Sequence, residues 1–380
     1  MNKNIFVLGS NNPLGITALD FLKNHLNKFV ITGLSYDSAA NNLDLFIKQI
    51  KEFNIKTVYV DDPNLIDIIE NKVDVKIYNS QSNFSKFIKE NDVDDVFCSL
   101  SGIDSVKKIL SIIHELKDIT LLNTSPILYS GRIIPLEAQS KGVKLNIFSY
   151  TIYSIDKFLY LNRLNDINKI FIYTLKRKDS DKKIDILDFN NFSEFAKNFY
   201  SVNKIRVVND LFLLNYIYNI PLDKISISLQ SKRFASLGIN FSNNSSLLNI
   251  ANQNIQSIFN YYFLDSSTTD SNDSIGIKLD DFDVSFSKLD LNKEKYLKLG
   301  LEALERSGSI PIIYYITVET VTKLIYYNKL KKNVTLLKIL KEVMNMKKLY
   351  SKYPDLSTIY SIENKVINYV NSKYTKKEKS

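Results

Sequence analysis

The order of apolar and polar positions changes period repeatedly along residues 1–149. Short apolar runs rich in Val, Ile, Phe and Leu predict β-strands at 4–8, 29–35, 57–60, 95–99, 119–122 and 144–148. Between them, apolar residues spaced three and four apart predict amphipathic helices at 14–26, 43–53 and 106–116. Strands that alternate with helices predict an α/β domain over 1–149, with a parallel sheet that helices cover on both faces.

Residues 150–264 mix the two patterns in another way and predict a central α+β domain. Strand patterns lie at 169–174, 224–229 and 234–241. A long apolar helix pattern at 207–218 ends before Pro221, because proline cannot continue a helix.

The last part of the chain predicts a helical domain behind a linker. Residues 265–274 contain no apolar side chain and indicate an exposed linker, which we extend to residue 292. Four helical patterns follow, at 293–307, 310–328, 335–350 and 355–369, and predict a C-terminal helical domain over 293–374. Residues 375–380 are predicted to be a frayed tail.

Composition narrows the class of protein. With 380 residues, of which 44% are apolar, the chain can bury the cores of two or three domains. The net charge is +9, but the basic residues are spread among 41 acidic ones, so we expect no nucleic-acid binding. The single cysteine, Cys98, excludes an internal disulfide and fits a reducing compartment. Because no segment has the length of a signal peptide or a membrane span, we expect a soluble, cytoplasmic protein with no membrane partner.

Candidate chemistry begins in the loop Gly9-Ser10-Asn11-Asn12-Pro13-Leu14-Gly15, between the first predicted strand and helix. Terminal glycines let the backbone approach a phosphate, and the helix start supplies N–H groups and a favourable dipole. Asn12 stands where such loops usually have a middle glycine. Asparagine tolerates positive φ and also caps helices well, and Pro13 suits the first helical position. The loop therefore indicates either a Rossmann-type dinucleotide cradle or an ordinary strand-to-helix turn.

Asp37, just after the second predicted strand, bears on the choice of cofactor. An acid at this place suits the free ribose 2′-hydroxyl of NADH better than the 2′-phosphate of NADPH. The alternative is that Asp37 is a solvated loop residue.

Further motifs, in order along nearly the whole chain, resemble the 1-deoxy-D-xylulose 5-phosphate reductoisomerase family. Gly9 to Gly15 matches the family's G-S-T-G-S-I-G loop, and Asn123 falls on its A-N-K-E segment. Residues 219–225 (NIPLDKI) match its N-I-P-Y-D-K-I element. Residues 297–304 (LKLGLEAL) resemble the first helix of its C-terminal domain.

The resemblance implies an N-terminal Rossmann-like domain and an NADPH- and Mg²⁺- or Mn²⁺-dependent oxidoreductase. Members of that family convert 1-deoxy-D-xylulose 5-phosphate to 2-C-methyl-D-erythritol 4-phosphate, an early step of non-mevalonate isoprenoid synthesis. A sugar-phosphate substrate and a homodimer are implied as well. The implied cofactor-binding residues are Gly9, Ser10, Asn11, Asn12, Leu14, Gly15 and Asn123.

The family's metal ligands are mostly replaced. Its D-S-E-H segment falls on Ser149-Tyr150-Thr151-Ile152, so that Ser149 and Thr151 stand at two carboxylate positions. The third ligand, a glutamate, falls on Asp210. Divalent cations of this kind prefer several hard oxygen ligands that include carboxylates. One carboxylate, Asp210, is too few for a useful site.

The implied phosphate site is altered less. Ser201 is retained, Arg206 replaces an asparagine and could bind phosphate through two N–H groups, and Val207 replaces a lysine. Lys176 falls on the family's second phosphate turn and could hold an anion there. The family's H-P-x-W loop has no counterpart, because the chain has no Trp and its histidines, His25 and His114, lie in first-domain helical patterns. We therefore assign no catalytic residue.

Two functions remain open at this stage. The full-length resemblance favours a divergent reductoisomerase, with impaired or lost activity because its site residues are replaced. The missing carboxylates favour a catalytically inactive paralogue that is retained as a binding or assembly partner.

Overall fold

The computed structural model describes residues 2–79, 84–160, 163–175, 191–231, 235–250, 255–264 and 285–376. These residues form two compact units. The first draws its described residues from Met1–Ile127, Arg132–Ser149 and Asn254–Asn272. The second draws them from Leu128–Gly131, Tyr150–Gln253 and Asp273–Ser380.

Seven strands of the first unit form one parallel sheet. They are β1 (Lys3–Leu8), β2 (Phe29–Ser35), β3 (Thr57–Tyr59), β4 (Lys76–Tyr78), β5 (Asp95–Cys98), β6 (Asp118–Leu121) and β7 (Leu145–Ile147). Their spatial order is β4-β3-β2-β1-β5-β6-β7. The order reverses at β1, and ligands of open parallel sheets bind outside the carboxyl ends of the strands at such a point. The predicted Rossmann-like α/β fold is confirmed.

Helices connect these strands. They are α1 (Pro13–Lys23), α2 (Leu43–Glu52), α3 (Ile66–Glu70), α4 (Phe84–Glu90), α5 (Asp104–His114), α6 (Ser125–Ser130) and α7 (Ile133–Lys141). The strands bury most of their side chains, as in β1, where Ile5 to Leu8 have no exposed surface. A continuous apolar run is what a strand covered on both faces requires.

The second unit contains a five-stranded mixed sheet and seven described helices of its own. The strands are β8 (Ile167–Leu175), β9 (Ile225–Gln230), β10 (Ala235–Phe241), β11 (Ser246–Ile250) and β12 (Phe286–Lys288), in the order β11-β10-β8-β9-β12. Only β8 and β9 pair in parallel. The helices are α8 (Tyr150–Leu159), α9 (Phe192–Val202), α10 (Ile205–Tyr218), α12 (Lys295–Arg306), α13 (Ile310–Tyr326), α14 (Leu336–Met344) and α15 (Leu356–Tyr374).

Three segments differ from the elements that the sequence predicts. Helix α11 (Ile255–Phe263) lies within the segment 150–264 but belongs to the first unit. Strand β12 lies within the segment 265–292 that was interpreted as a linker, of which 265–284 is outside the described residues. The segment predicted as a frayed tail begins with an ordered residue, because Thr375 forms a β-bridge with Leu330.

Within the part of the chain that the structure describes, no helix combines the length and the apolar character that crossing a bilayer would need.

Candidate active site

The loop between β1 and α1 depends on its two terminal glycines. Gly9 has φ +87°, and a Cβ there would lie 2.6 Å from Ser99 Oγ. A Cβ on Gly15 would lie 2.2 Å from the Gly9 carbonyl oxygen. Both positions therefore require glycine so that the loop can fold back on itself at the carboxyl end of β1.

Residues Ser10 and Asn11 are buried and bonded within the first unit. Ser10 Oγ donates to Gln49 Oε1 at 2.9 Å, and Gln49 Nε2 donates back to the Ser10 carbonyl at 2.9 Å. Asn11 Nδ2 donates to the Asp37 carbonyl at 3.0 Å, while the Asp37 amide donates to Asn11 Oδ1 at 2.6 Å. These bonds fix the loop against α2 and the end of β2.

Asn12 is the N-cap of α1, and the predicted cap and the predicted first helical position of Pro13 are confirmed. Asn12 Oδ1 accepts from the amides of Leu14, at 3.1 Å, and Gly15, at 3.0 Å. Asn12 Nδ2 donates to Asp37 Oδ2 and to Ser99 Oγ, both at 2.9 Å. The side chain is only 8% exposed, so the middle of the loop is filled by protein.

Asn123 follows β6 at the same edge of the sheet. Its Oδ1 accepts from the Ser125 amide at 2.9 Å, where α6 begins. The Ser125 hydroxyl accepts from the Gly102 amide at 3.2 Å. Asn123 thus contributes to the start of a helix, and it is partly exposed.

In the second unit, the structure brings together Asp210, Arg206 and Thr151. Arg206 and Asp210 lie one turn apart on α10, and the Thr151 hydroxyl of α8 donates a hydrogen bond to the carboxylate. Desolvation raises the pKa of Asp210 to about 6, and the Arg206 charge and the Thr151 bond offset part of that rise. The carboxylate therefore has a guanidinium and a hydroxyl as neighbours.

The other implied phosphate ligands are distributed differently. Ser201 lies in the last turn of α9, four residues before α10 begins at Ile205. Lys204, between the two helices, is buried with φ +58°, and its Nζ donates to the Leu175 carbonyl at 2.5 Å. Lys176 lies outside the described residues. Ser149 belongs to the first unit, where it follows β7 and is partly exposed.

The donor set does not fit a divalent metal. Among the described residues, no group of three or more His, Cys, Asp or Glu side chains could hold an ion. Asp210 also has the positive charge of Arg206 close by, which repels a cation. The carboxylate that the resemblance assigned to a metal is instead a desolvated acid that feels the charge of Arg206.

Three polar residues that the sequence analysis did not select hold the candidate site. Ser35 ends β2, and its hydroxyl accepts from the Gly9 amide at 2.8 Å. Ser99 follows β5, and its hydroxyl accepts from Asn12, while Gln49 of α2 binds Ser10. A usable signal existed for the two serines, because polar residues that end neighbouring parallel strands meet at one edge of the sheet.

Comparisons with known proteins agree along the chain. The model of the family described as 1-deoxy-D-xylulose 5-phosphate reductoisomerase matches residues 5–131. A protein of that name from Clostridium botulinum is 24% identical over 388 residues, covering 97% of this chain and 99% of the relative. One from Pelagibacter ubique is 25% identical over 348 residues, covering 87% of this chain and 88% of the relative.

Solved structures give the same fold. The reductoisomerase from Zymomonas mobilis in complex with NADPH superposes with a TM-score of 0.81 at 16% identity, covering 98% of this chain and 99% of that one. A reductoisomerase in complex with NADPH, fosmidomycin and magnesium superposes with a TM-score of 0.80 at 16% identity, covering 98% of each chain. The chain is thus similar in sequence to 1-deoxy-D-xylulose 5-phosphate reductoisomerases over nearly its whole length, and it shares their fold.

Proposed function

We propose that this chain is a reductoisomerase homologue in which the metal-dependent rearrangement of 1-deoxy-D-xylulose 5-phosphate is impaired or lost. Similarity to that family supports descent from an NADPH-dependent oxidoreductase of isoprenoid synthesis. The observation that carries the loss is the surroundings of Asp210, whose neighbours are Arg206 and Thr151.

Charge is the reason why we propose that the metal-dependent reaction is impaired or lost. Catalysis by Mg²⁺ or Mn²⁺ in this family requires an ion that polarises the oxygens of the substrate. Such an ion is held by several carboxylate or other hard oxygen ligands. The Arg206 charge acts on the Asp210 carboxylate, so these two groups together offer no net negative charge to offset the dehydration of a dication.

Binding of a sugar phosphate is a separate part of the proposal. Arg206 carries a permanent charge and a planar set of N–H donors, which suits a phosphate, and Ser201 supplies a hydroxyl nearby in sequence. A phosphate at Arg206 would also be repelled by the ionised Asp210 carboxylate one turn away on α10. We therefore propose that any such binding is weak at neutral pH and strengthens when Asp210 is protonated.

The second candidate function is that of an inactive partner. The chain covers 99% of the length of the relative from Clostridium botulinum, so the fold is retained although we propose that the family's metal site is lost. Retention of a whole fold without its chemistry favours a role in binding or assembly, for example as a homodimer or with an intact copy. A genome with a second, intact copy would support this candidate, and a single copy beside a complete isoprenoid pathway would support a working enzyme. A cytoplasmic location remains part of the proposal.

The test is turnover and metal binding on the full chain. We expect no oxidation of NADPH with 1-deoxy-D-xylulose 5-phosphate and Mg²⁺, and no Mn²⁺ binding by electron paramagnetic resonance below about 1 mM. Metal-dependent turnover that Asp210→Ala abolishes, and that Asp223→Ala leaves unchanged, would overturn the proposal. Asp223 is a suitable control because it is an exposed acid of the same unit.

A further inference from the structure

The start of α1 offers no free donor to a phosphate in its first turn. Position 13 is proline and has no amide hydrogen. The next two amides, of Leu14 and Gly15, donate to Asn12 Oδ1, and the Ile16 amide donates to the Asn12 carbonyl at 2.9 Å. A dinucleotide pyrophosphate at a Rossmann loop is held by amides of this first turn. In this chain the Asn12 oxygen already accepts from both of the side-chain-bonded amides of that turn.

The Asn12 side chain is held in that place from its other end. Its Nδ2 donates to Asp37 Oδ2 and to Ser99 Oγ, and the Ser99 hydroxyl in turn donates to the carbonyls of Leu8, at 2.9 Å, and Gly9, at 2.8 Å. A ligand that displaced the Asn12 side chain would break its bonds to Asp37, which follows β2, and to Ser99, which follows β5. The backbone of Asn12, with φ −92° and ψ 165°, does not by itself require this residue.

The charge near the loop also disfavours the binding of a dinucleotide there. The Asp37 carboxylate is the acceptor of Asn12 Nδ2, so a polyphosphate at the helix start would approach an acid. Residues 35–42 (SYDSAANN) contain no Lys or Arg that could neutralise it or bind the 2′-phosphate of NADPH. The loop therefore does not fit the cofactor.

We propose that the Asn12 side chain plugs the phosphate cradle of the first unit, so that this chain binds neither NADPH nor NADH there. Asn12 is then the residue that separates this chain from a dinucleotide-binding protein, because glycine at that position would leave two amides open. The plug converts a ligand site into a clasp that joins β1, β2 and β5. It concerns binding in the first unit and does not depend on the loss of the metal site in the second.

Calorimetric titration of the full chain with NADPH and with NADH, in a chelator and without divalent metal, tests the plug. We expect no heat of binding for the native chain below about 1 mM, and at least about tenfold tighter binding for Asn12→Gly. Asn12→Asp keeps the capping oxygen and should bind no better than the native chain. Asn42→Gly is the matched control, because Asn42 caps α2 in the same unit through a bond from the Leu45 amide of 3.2 Å.

Each result decides the matter. Micromolar binding to the native chain would overturn the plug, and so would a lack of gain in Asn12→Gly when circular dichroism shows it folded. If Asn12→Gly melts below the assay temperature, Asn12→Ala serves instead, since it also removes both polar atoms, and an absence of gain there would equally overturn the plug. Because the titration contains no metal, none of these results bears on Asp210.

Discussion

At the scale of single residues, the desolvation of Asp210 lowers the free energy of unfolding at neutral pH. Desolvation raises its folded pKa from 3.8 to about 6. An acid whose pKa is raised by folding binds its proton more tightly in the folded state. The free energy of unfolding therefore falls as pH rises from about 4 to 6 and stays lower above that. Replacement of the carboxylate should therefore stabilise the protein at neutral pH.

We expect Asp210→Asn to raise the free energy of unfolding at pH 7.5 by about 1–3 kcal/mol, with little change at pH 4. Urea unfolding at the two pH values measures the difference, and Asp223→Asn provides the exposed control. A loss of stability that is larger at pH 7.5 than at pH 4 would mean that the attraction of the Arg206 charge outweighs desolvation. A residue whose replacement stabilises the protein is typically kept for function and not for stability.

Residue chemistry was partly predictable. The cap formed by Asn12 follows from the residue type and from the Asn-Pro sequence at a helix start. The proximity of Arg206 and Asp210 follows from their spacing of four on a helix. The bond from Asn12 to Asp37 does not follow from either, because it joins residues 25 positions apart through the pairing of β1 with β2.

At the scale of elements, the strands of the parallel sheet were the best predicted, and β2 has the predicted bounds. Their apolar runs are continuous because both faces are covered. Strand β4 was missed because three residues carry no recognisable period. Helices α6 and α7 were missed because Pro126 and Pro135 suggest breaks, yet both prolines lie within a first turn, where the missing amide has no helical acceptor.

Helices α14 and α15 are joined by one acid. The Glu342 carboxylate of α14 accepts from the Tyr369 hydroxyl at 2.6 Å, and also from Lys373 and Tyr374 of α15. The Lys373 bond, followed by those of the two tyrosines, lowers the pKa of Glu342 to about 2. An acid whose pKa is lowered by folding stabilises the folded state above its unfolded pKa of 4.5, and this stabilisation is lost as pH falls toward 2.

We expect Glu342→Gln to lower the free energy of unfolding at pH 7 by about 1 kcal/mol, a modest value because the Glu342 and Lys373 side chains are 33% and 46% exposed. The loss should shrink as pH falls below 4.5, which thermal melts at pH 7, 4 and 3 can follow. Glu305→Gln, on the exposed side of α12, should change neither the stability at pH 7 nor its dependence on pH. A loss that is independent of pH would point to packing and not to charge.

At the scale of the whole molecule, the chain leaves the first unit after residue 149 and returns to it with α11. Phe259 of α11 stacks on Phe21 at 4.5 Å between ring centroids and meets Phe148 at 4.4 Å. Phe263 lies 4.8 Å from Phe97. An apolar helix pattern indicates that a helix packs against something but not against what, so the sequence could not predict this return.

We therefore expect that residues 1–149 need the aromatic cluster of α11 in order to fold. Without α11 that fragment would expose Phe21, Phe97 and Phe148, which are 8% exposed or less in the whole chain. In the full chain, Phe259→Ala should lower the stability of the first unit by about 3–5 kcal/mol, because Phe259 is fully buried. Tyr353→Ala, at a residue that is 82% exposed, is the control. Hydrogen exchange resolved by segment should show faster exchange in β1 and β5 and no change in α13. Full protection of β1 and β5 in a fragment of residues 1–149 would mean that α11 covers the sheet without being needed for its folding.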